Sequence, residues 1–583
     1  MANRRSLSLA IGVATLLGLL FCELLAANLR TSMCWDEGHH LFDGYTILRH
    51  HDFALNPEVP PFAKVVAALS LLPPHLYEPR QQGRSSQLEA YIDGRDFLFK
   101  NNADQLLLRS RMAVSGFTLI LALLVFLAGK EIFDTQTGLL ALSLLVLDPN
   151  LLAHGALVTT DAAITCLVFA SVYTWRRYTL QPSVWRLFLT AMLVGLAFAT
   201  KFTGLFLVPI LVLLAMAEAF QQRNLRLLAK RGAALSIIFC GAYAVLWGCY
   251  GFRYAARPDG LVQNPTLASY LHQYTQVGNP GSLQILARWH AFPEAFLWGL
   301  ANTKLTEERD LSYLFGVIHR HGSWLYFPAA IAIKSTLPFL TTLAVAVYVL
   351  FRAPALRQQW LMLMVPATVF LGFAMHSDMN IGIRHILPIY PFLYLIGSSA
   401  LVWLVRSHKS MTAGVVVLIA FQAITSFRAC PAYIAYANEA WGGSNNVHRF
   451  LSDSNSDWGQ QLKTAAEYLH NRHITDCWMA YTASGVVDER YYGIPCHPLP
   501  TSVNLWWIPI PIEVPSKIKG VVLISDDQLE GIDLSFGQPN PYAQFRNLKP
   551  AAILDGGLFV YDGEFNISLA SKMTALARSN ARQ

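Results

Sequence analysis

Long apolar runs separated by short polar turns set the pattern of the first 430 residues. Residues 7–29 (LSLAIGVATLLGLLFCELLAANL) contain no basic residue and are long enough to cross a bilayer, which takes about 20 helical residues. Similar runs follow at about 112–129, 137–148, 160–176, 186–200, 202–220, 232–251, 335–351, 360–376, 386–405 and 411–428, predicting eleven crossings with the first. The run at 137–148 is the shortest, and a dozen apolar residues also suit a buried or re-entrant segment. MANRR at the start resembles the head of a signal peptide. The apolar stretch behind it is too long and lacks a small-x-small cleavage site, so the pattern predicts an uncleaved helix.

Beyond residue 430 the period changes. GQQLKTAAEYLHNR (459–472) has the spacing of an amphipathic helix, and CWMAYT (477–482) and GVVLIS (520–525) read as buried strands. AAILDGGLFVYDG (551–563) reads as a hairpin turning at Asp555 and the glycines after it. The fold class expected is a polytopic α-helical membrane protein, with a transmembrane module over 1–429 and a C-terminal extracytoplasmic α/β domain over 430–583.

Composition agrees: 54% of residues are hydrophobic and 14% charged, against about 25% charged in ordinary soluble domains. The net charge of +7 could suggest a nucleic-acid partner. Its placement argues against one. Arg4, Arg5, Lys130, Arg176, Arg177, Arg186, Arg223, Arg226, Lys230, Arg231, Arg352, Arg357, Arg406 and Lys409 all fall in loops of one side. That is the positive-inside pattern, and it predicts a cytoplasmic N-terminus. Loops at about 30–110 and 252–334, the turns near Asp161, Lys201 and Arg384, and everything after 430 then share the outer face. Cys477 and Cys496 fall there too, where disulfides persist, although spacing alone cannot assign a pair.

Chemistry concentrates at the ends of the runs. MCWDEGHH (33–40) places Asp36 and Glu37 side by side just past the first apolar run. Such a cluster is either a solvated helix end or the beginning of a site. Tyr45 follows, and PPFAK (60–64) opens a short helix carrying Lys64. Asp161 begins an apolar helix, where it would also favour the dipole. Lys201 lies between two apolar runs, a costly position unless it snorkels or meets an anion. His39, His40, His50 and His51 come as adjacent pairs, not at a chelating i, i+4 spacing, so no metal site is indicated and a divalent cofactor stays open. His39 can still join Asp36 across one turn. Asp453, Asp457 and Trp458 in DSNSDWGQ sit among turn formers, and either make a turn or shape an entrance.

The order of the Asp-Glu pair and the Pro-Pro-x-x-Lys segment resembles the protein O-mannosyltransferases and the aminoarabinose transferases of lipid A. These belong to the GT-C class of membrane glycosyltransferases. Val59 stands where the mannosyltransferases carry His. HGALVTTDAA (154–163) resembles the family's second acidic site, ATKFTGL (199–205) its Lys turn, and IGIRHILPIYPF (381–392) its Arg-x-Leu-Pro segment. YANEAWGGSNNVHRFLSDSNSDWGQQL (436–462) resembles a bacterial branch with a soluble C-terminal domain.

The resemblance implies a polyprenyl-phosphate sugar donor bound from the membrane. It also implies an acceptor hydroxyl on protein, lipid or glycan at the outer face of the bacterial inner membrane. A carboxylate must take the acceptor's proton as it attacks with inversion, and cations must hold the departing phosphate. Asp36 is then the candidate base, with Glu37 and Asp161 as further catalytic candidates. Lys64, Lys201 and Arg384 are candidate phosphate ligands, and His39, Tyr45 and His385 candidate substrate contacts. The competing reading is a transporter or flippase. Transporters usually place polar residues at the midplane, on broken helices within repeats; here they lie at run ends and no repeat is visible.

Overall fold

The computed structural model describes residues 2–72, 75–79, 86–258, 261–276, 278–307, 311–508, 510, 512–532 and 539–580. All eleven apolar runs coincide with helices to within two residues, but fewer are full spans. Among the described residues seven helices are long and apolar enough to cross a membrane. They are Ser6–Arg30, Ala103–Ile132, Phe202–Gln221, Leu225–Cys249, Pro354–His376, Ile383–Ser407 and Met411–Ala429, and nine spans result if each of two bent pairs counts as one. Two of the eleven expected crossings fall outside this count. Val184–Phe198 has 15 residues, short of a bilayer core. Asp161–Leu180 is buried at every position from 161 to 173, so its apolar surface meets protein on all sides. Outward-facing Leu213, Met216, Ile237, Val347, Val416 and Ile424 are exposed, as suits lipid and not water. Small residues bring helices close. A Cβ on Gly195 of Val184–Phe198 would lie 2.7 Å from the Ala242 carbonyl oxygen of Leu225–Cys249.

The bent pairs are Thr135–Val146 with Pro149–Gly155, at 64°, and Tyr326–Lys334 with Leu337–Arg352, at 117°. Both breaks have local causes. The Asp148 carboxylate accepts from Asn150 N and Leu151 N, and Pro149 has no N–H to continue the preceding helix. Thr336 caps the other break through Phe339 N, with Pro338 inside the first turn. Backbone groups freed inside a membrane need partners. Gln422 on the last span serves both breaks, donating to Leu147 O at 2.8 Å and accepting from Thr336 Oγ1.

The strands are β1 (Ser312–Leu314) and β2 (Val317–His319), a small hairpin, then β3 (Cys477–Ala480), β4 (His497–Pro498), β5 (Lys517–Ser525), β6 (Ala552–Leu554) and β7 (Leu558–Asn566). The last five form one mixed sheet in the order β4-β3-β5-β7-β6. β3 runs parallel to β4 and β5, and β7 antiparallel to β5 and β6. The predicted hairpin is present, turning through Asp555 and Gly556 at φ of 46° and 75°. The predicted amphipathic helix runs Leu462–Asn471, and Cys477 and Cys496 are disulfide-bonded.

Alternation along the strands gives the sheet two different faces. Val522, Ile524, Phe559 and Tyr561 pack with Leu499, Leu529, Tyr542 and Phe545 in a core of the sheet's own. Leu523, Leu558 and Val560 instead share a core with Met33, Leu41, Phe42, Tyr45 and Leu107. The sheet therefore sits directly on the loop that follows the first span.

Candidate active site

The first helix ends at Arg30, and after an irregular stretch Asp36 caps the helix Glu37–His50. Adjacent positions at a helix start diverge by about 100°, and here they part completely. Glu37 turns inward with no exposed side-chain surface, while Asp36 keeps 18% of its own exposed.

Glu37 is gripped from several sides. Arg111 Nε donates to its Oε1 at 2.8 Å and Nη2 to its Oε2 at 2.5 Å. Cys34 N and Val158 N donate to the same carboxylate at 2.8 and 3.0 Å. The remaining Arg111 donors reach the carbonyls of Asn28, Thr31 and Ser32. A bidentate, fully hydrogen-bonded pair of this kind is strong. It fastens the end of the first span to Ala103–Ile132 and to the turn before Asp161. Sequence reading missed Arg111, although an arginine within a mostly apolar helix is itself a signal.

Asp36 faces a cavity of about 480 Å³, whose wall includes His39, Lys201, Arg384 and His385. Arg384 Nη1 donates to Asp36 Oδ2 at 3.2 Å and lies 3.8 Å from Asp161 Oδ2. Its Nε donates to Ser454 Oγ at 3.0 Å, and its guanidinium rests 4.0 Å over the Trp458 ring. Lys201 Nζ donates to Asp161 Oδ1 at 2.6 Å. Asp161 is fully buried and lies behind the two cations, outside the cavity wall. Opposite charges thus alternate: Asp36, Arg384, Asp161, Lys201.

Glu37, Tyr45 and Lys64 do not reach the cavity wall. Lys64 was expected to meet phosphate, but its ammonium pairs with Asp43 Oδ2 at 2.5 Å and donates to Asn56 O at 2.6 Å and Val59 O at 2.8 Å. A buried ammonium has to be neutralised and hydrogen-bonded where it lies. Here that requirement fixes the 56–59 loop, which presents Glu58 and Val59 to the cavity. Tyr45 is packed on Phe97 at 5.0 Å between ring centres, and its hydroxyl accepts from Arg49 Nε.

His39 and His40 are buried near the cavity, and burial holds both imidazoles below their usual range, His39 well below, so they are neutral. His40 Nδ1 meets Val158 O at 3.1 Å; His39 Nδ1 and His385 Nε2 have no hydrogen-bond partner among the described residues. Among the described residues no group of three His, Cys, Asp or Glu could hold a metal ion.

The structure adds wall residues that motif reading did not single out. Glu58 accepts from Gln87, and burial pushes its carboxyl up. Trp35 stacks on Trp507 at 5.7 Å, and Tyr91 meets Trp507 edge-on at 4.5 Å, forming an aromatic side drawn from three distant segments. Asp453, Asp457 and Trp458 form part of the wall as well as a turn, and Asp527 joins them. Burial raises the Asp453 and Asp457 carboxyls. The cavity wall accordingly sets Lys201 and Arg384 beside carboxylates and aromatic rings drawn from both ends of the chain.

Residues 14–257 match the family described as dolichyl-phosphate-mannose-protein mannosyltransferase. That stretch is short of half the chain; it contains Asp36, Glu37, Lys64, Asp161 and Lys201 and stops before Arg384. No curated protein matches the chain. Among solved structures, apo ArnT from Cupriavidus metallidurans is 13% identical with a TM-score of 0.48, over 98% of this chain and 99% of that one. The apo oligosaccharyltransferase of Archaeoglobus fulgidus is 13% identical at a TM-score of 0.41, over 83% and 63%. The S. cerevisiae protein O-mannosyltransferase Pmt1-Pmt2 complex bound to its sugar donor is 17% identical at a TM-score of 0.33, over 42% and 33%.

Proposed function

We propose that this chain is a membrane glycosyltransferase, a reading its family match over residues 14–257 supports, and that it transfers a sugar from a polyprenyl-phosphate-linked monosaccharide to an acceptor hydroxyl, with inversion. The observation that carries this reading is the meeting of Lys201, Arg384 and Asp36 on one cavity wall at the ends of the spans. A lipid phosphate brings its own leaving group, so the protein needs only to hold the phosphate and remove one proton.

Arg384 and Lys201 are engaged by Asp36 and Asp161 in this structure. An arriving phosphate competes for the same donors, and the planar guanidinium can grip it with two bonds. That exchange frees Asp36. The acceptor oxygen then attacks the anomeric carbon, the bond from that carbon to the phosphate oxygen breaks, and the acceptor proton passes to Asp36. Asp161 keeps Lys201 and Arg384 aimed at the cavity. Glu37 holds the backbone beside Asp36 through Cys34 N, and neutral His39 and His385 contact sugar hydroxyls. The acceptor enters between the aromatic wall and the sheet.

The test is transfer of label from radiolabelled polyprenyl-phosphate hexose by purified enzyme. Arg384→Ala should raise the KM for donor by about tenfold or more, the worth of a hydrogen bond to a charged group, and leave the acceptor KM within about twofold. Unchanged donor KM in that variant, or efficient use of a nucleotide sugar in lipid-free detergent, would sink the proposal. The bent helix pairs favour the second reading, translocation of a lipid-linked substrate. Against it, the Leu147 carbonyl and the Thr336 hydroxyl at the two breaks are bonded to Gln422 and not turned to a path.

The basic loops support an outer location for the cavity and for residues 430–583 as a domain. A reporter that works only in the cytoplasm, fused after residue 440, should be silent; strong activity there would invert the topology.

A further inference from the structure

The two cavity cations are supported in different ways. Lys201 leans on Asp161, within the helical bundle. Arg384, besides its contacts with Asp36 and the Trp458 ring, is bonded to a turn from the far end of the chain, Asp453–Asn455.

Ser454 Oγ donates to Ile381 O at 2.6 Å, which leaves a lone pair facing Arg384 Nε at 3.0 Å. Asn455 Oδ1 accepts from Ile383 N, the backbone just before Arg384, at 3.0 Å. The Asn455 side chain is oriented in turn, its Nδ2 donating to Tyr326 Oη at 2.8 Å and to Ser452 O at 2.9 Å. Its carbonyl accepts from the buried ammonium of Lys334 at 2.6 Å. Both turn residues are fully buried. Contact is close enough that a Cβ on Gly382 would lie 2.2 Å from Ser454 Oγ. Asp527, just after β5, accepts from Asp453 N at 2.9 Å and ties the turn to the sheet.

The chain from Ser377 to Gly382 is irregular, and an arginine side chain has several free torsions. Without outside support the guanidinium would sample many orientations, and effective sites are held to within about 0.5 Å by neighbours that are themselves locked. We infer that Ser454 and Asn455 are positioning residues for Arg384, so that the segment after residue 430 completes the donor site. The inference rests on the reading that Arg384 takes the donor phosphate.

A double-mutant cycle on the purified full chain tests it, because coupled residues depart from additivity while independent ones do not. Ser454→Ala should raise the donor KM by about tenfold, with acceptor KM and melting temperature little changed. In the Arg384→Ala background the same substitution should add almost nothing. Tyr326→Phe, outside the cavity, removes the acceptor of Asn455 Nδ2 and should produce a smaller rise of the same kind, again lost without Arg384. Equal factors in both backgrounds, or no donor effect from either substitution, overturn the inference. A donor KM that Arg384→Ala leaves unchanged defeats the underlying functional reading instead.

Discussion

Asp36→Asn is expected to lower turnover by about 10²–10⁴-fold, the usual loss on removing a general base, while the protein still inserts, folds and binds donor. The amide oxygen can accept from Arg384 as the carboxylate does, but the group cannot take a proton at neutral pH. Folding should tolerate the change, because Asp36 is partly exposed and, among the described residues, its carboxylate is hydrogen-bonded to Arg384 alone, at 3.2 Å. Initial rates, set beside donor affinity and melting temperature of the same preparation, separate chemistry from stability. Near-full turnover by a folded variant would move the base elsewhere. Glu58 would then be the next candidate, since it shares the cavity wall and burial keeps its carboxyl easier to protonate. Asp161 ranks behind it, being off the wall and bonded to Lys201.

The neighbouring residue should give the opposite profile. Glu37→Ala leaves the Arg111 guanidinium buried without its counter-charge, a change that costs about 3–5 kcal/mol in comparable buried pairs. For a protein of this size the loss should appear as a drop of about 2–4 °C in melting temperature, with poor recovery from membranes. Whatever folds should retain catalysis in proportion. Glu37→Ala combined with Arg111→Met replaces charge by apolar volume and should recover part of the stability, as removal of both partners often does. A melting temperature unchanged in Glu37→Ala would mean that the pair contributes nothing to the fold. Two adjacent carboxylates, one carrying activity and the other stability, would together establish that the helix start at Asp36 divides them.

Much of the fold was legible because it is written in local period. Apolar runs of about 20 residues announce helices that must satisfy their own backbone in lipid, and 7–29 or 411–428 lie in helices close to where they were read. The strand at GVVLIS and the hairpin at Asp555 follow from alternation and from a turn requiring positive φ. The same reading put Asp36, His39, Lys201, Arg384 and His385 at helix ends, where a shared site could form. What it could not say is which charges meet.

Glu37 and Arg111 are 74 positions apart, and Asp36 and Arg384 are 348 apart. No period spans such distances. Lys64 looked free beside a proline pair, yet the packed loop turns its ammonium onto Asp43. Asp161–Leu180 read like any other crossing because burial in protein and burial in lipid select the same apolar residues. Composition and period thus determined the elements and the ends at which polar residues gather. The tertiary structure alone decided which of those residues neutralise each other in the interior and which remain to face the cavity. The physical reason is that burying a charge is so costly that each must find its partner wherever the fold brings one near.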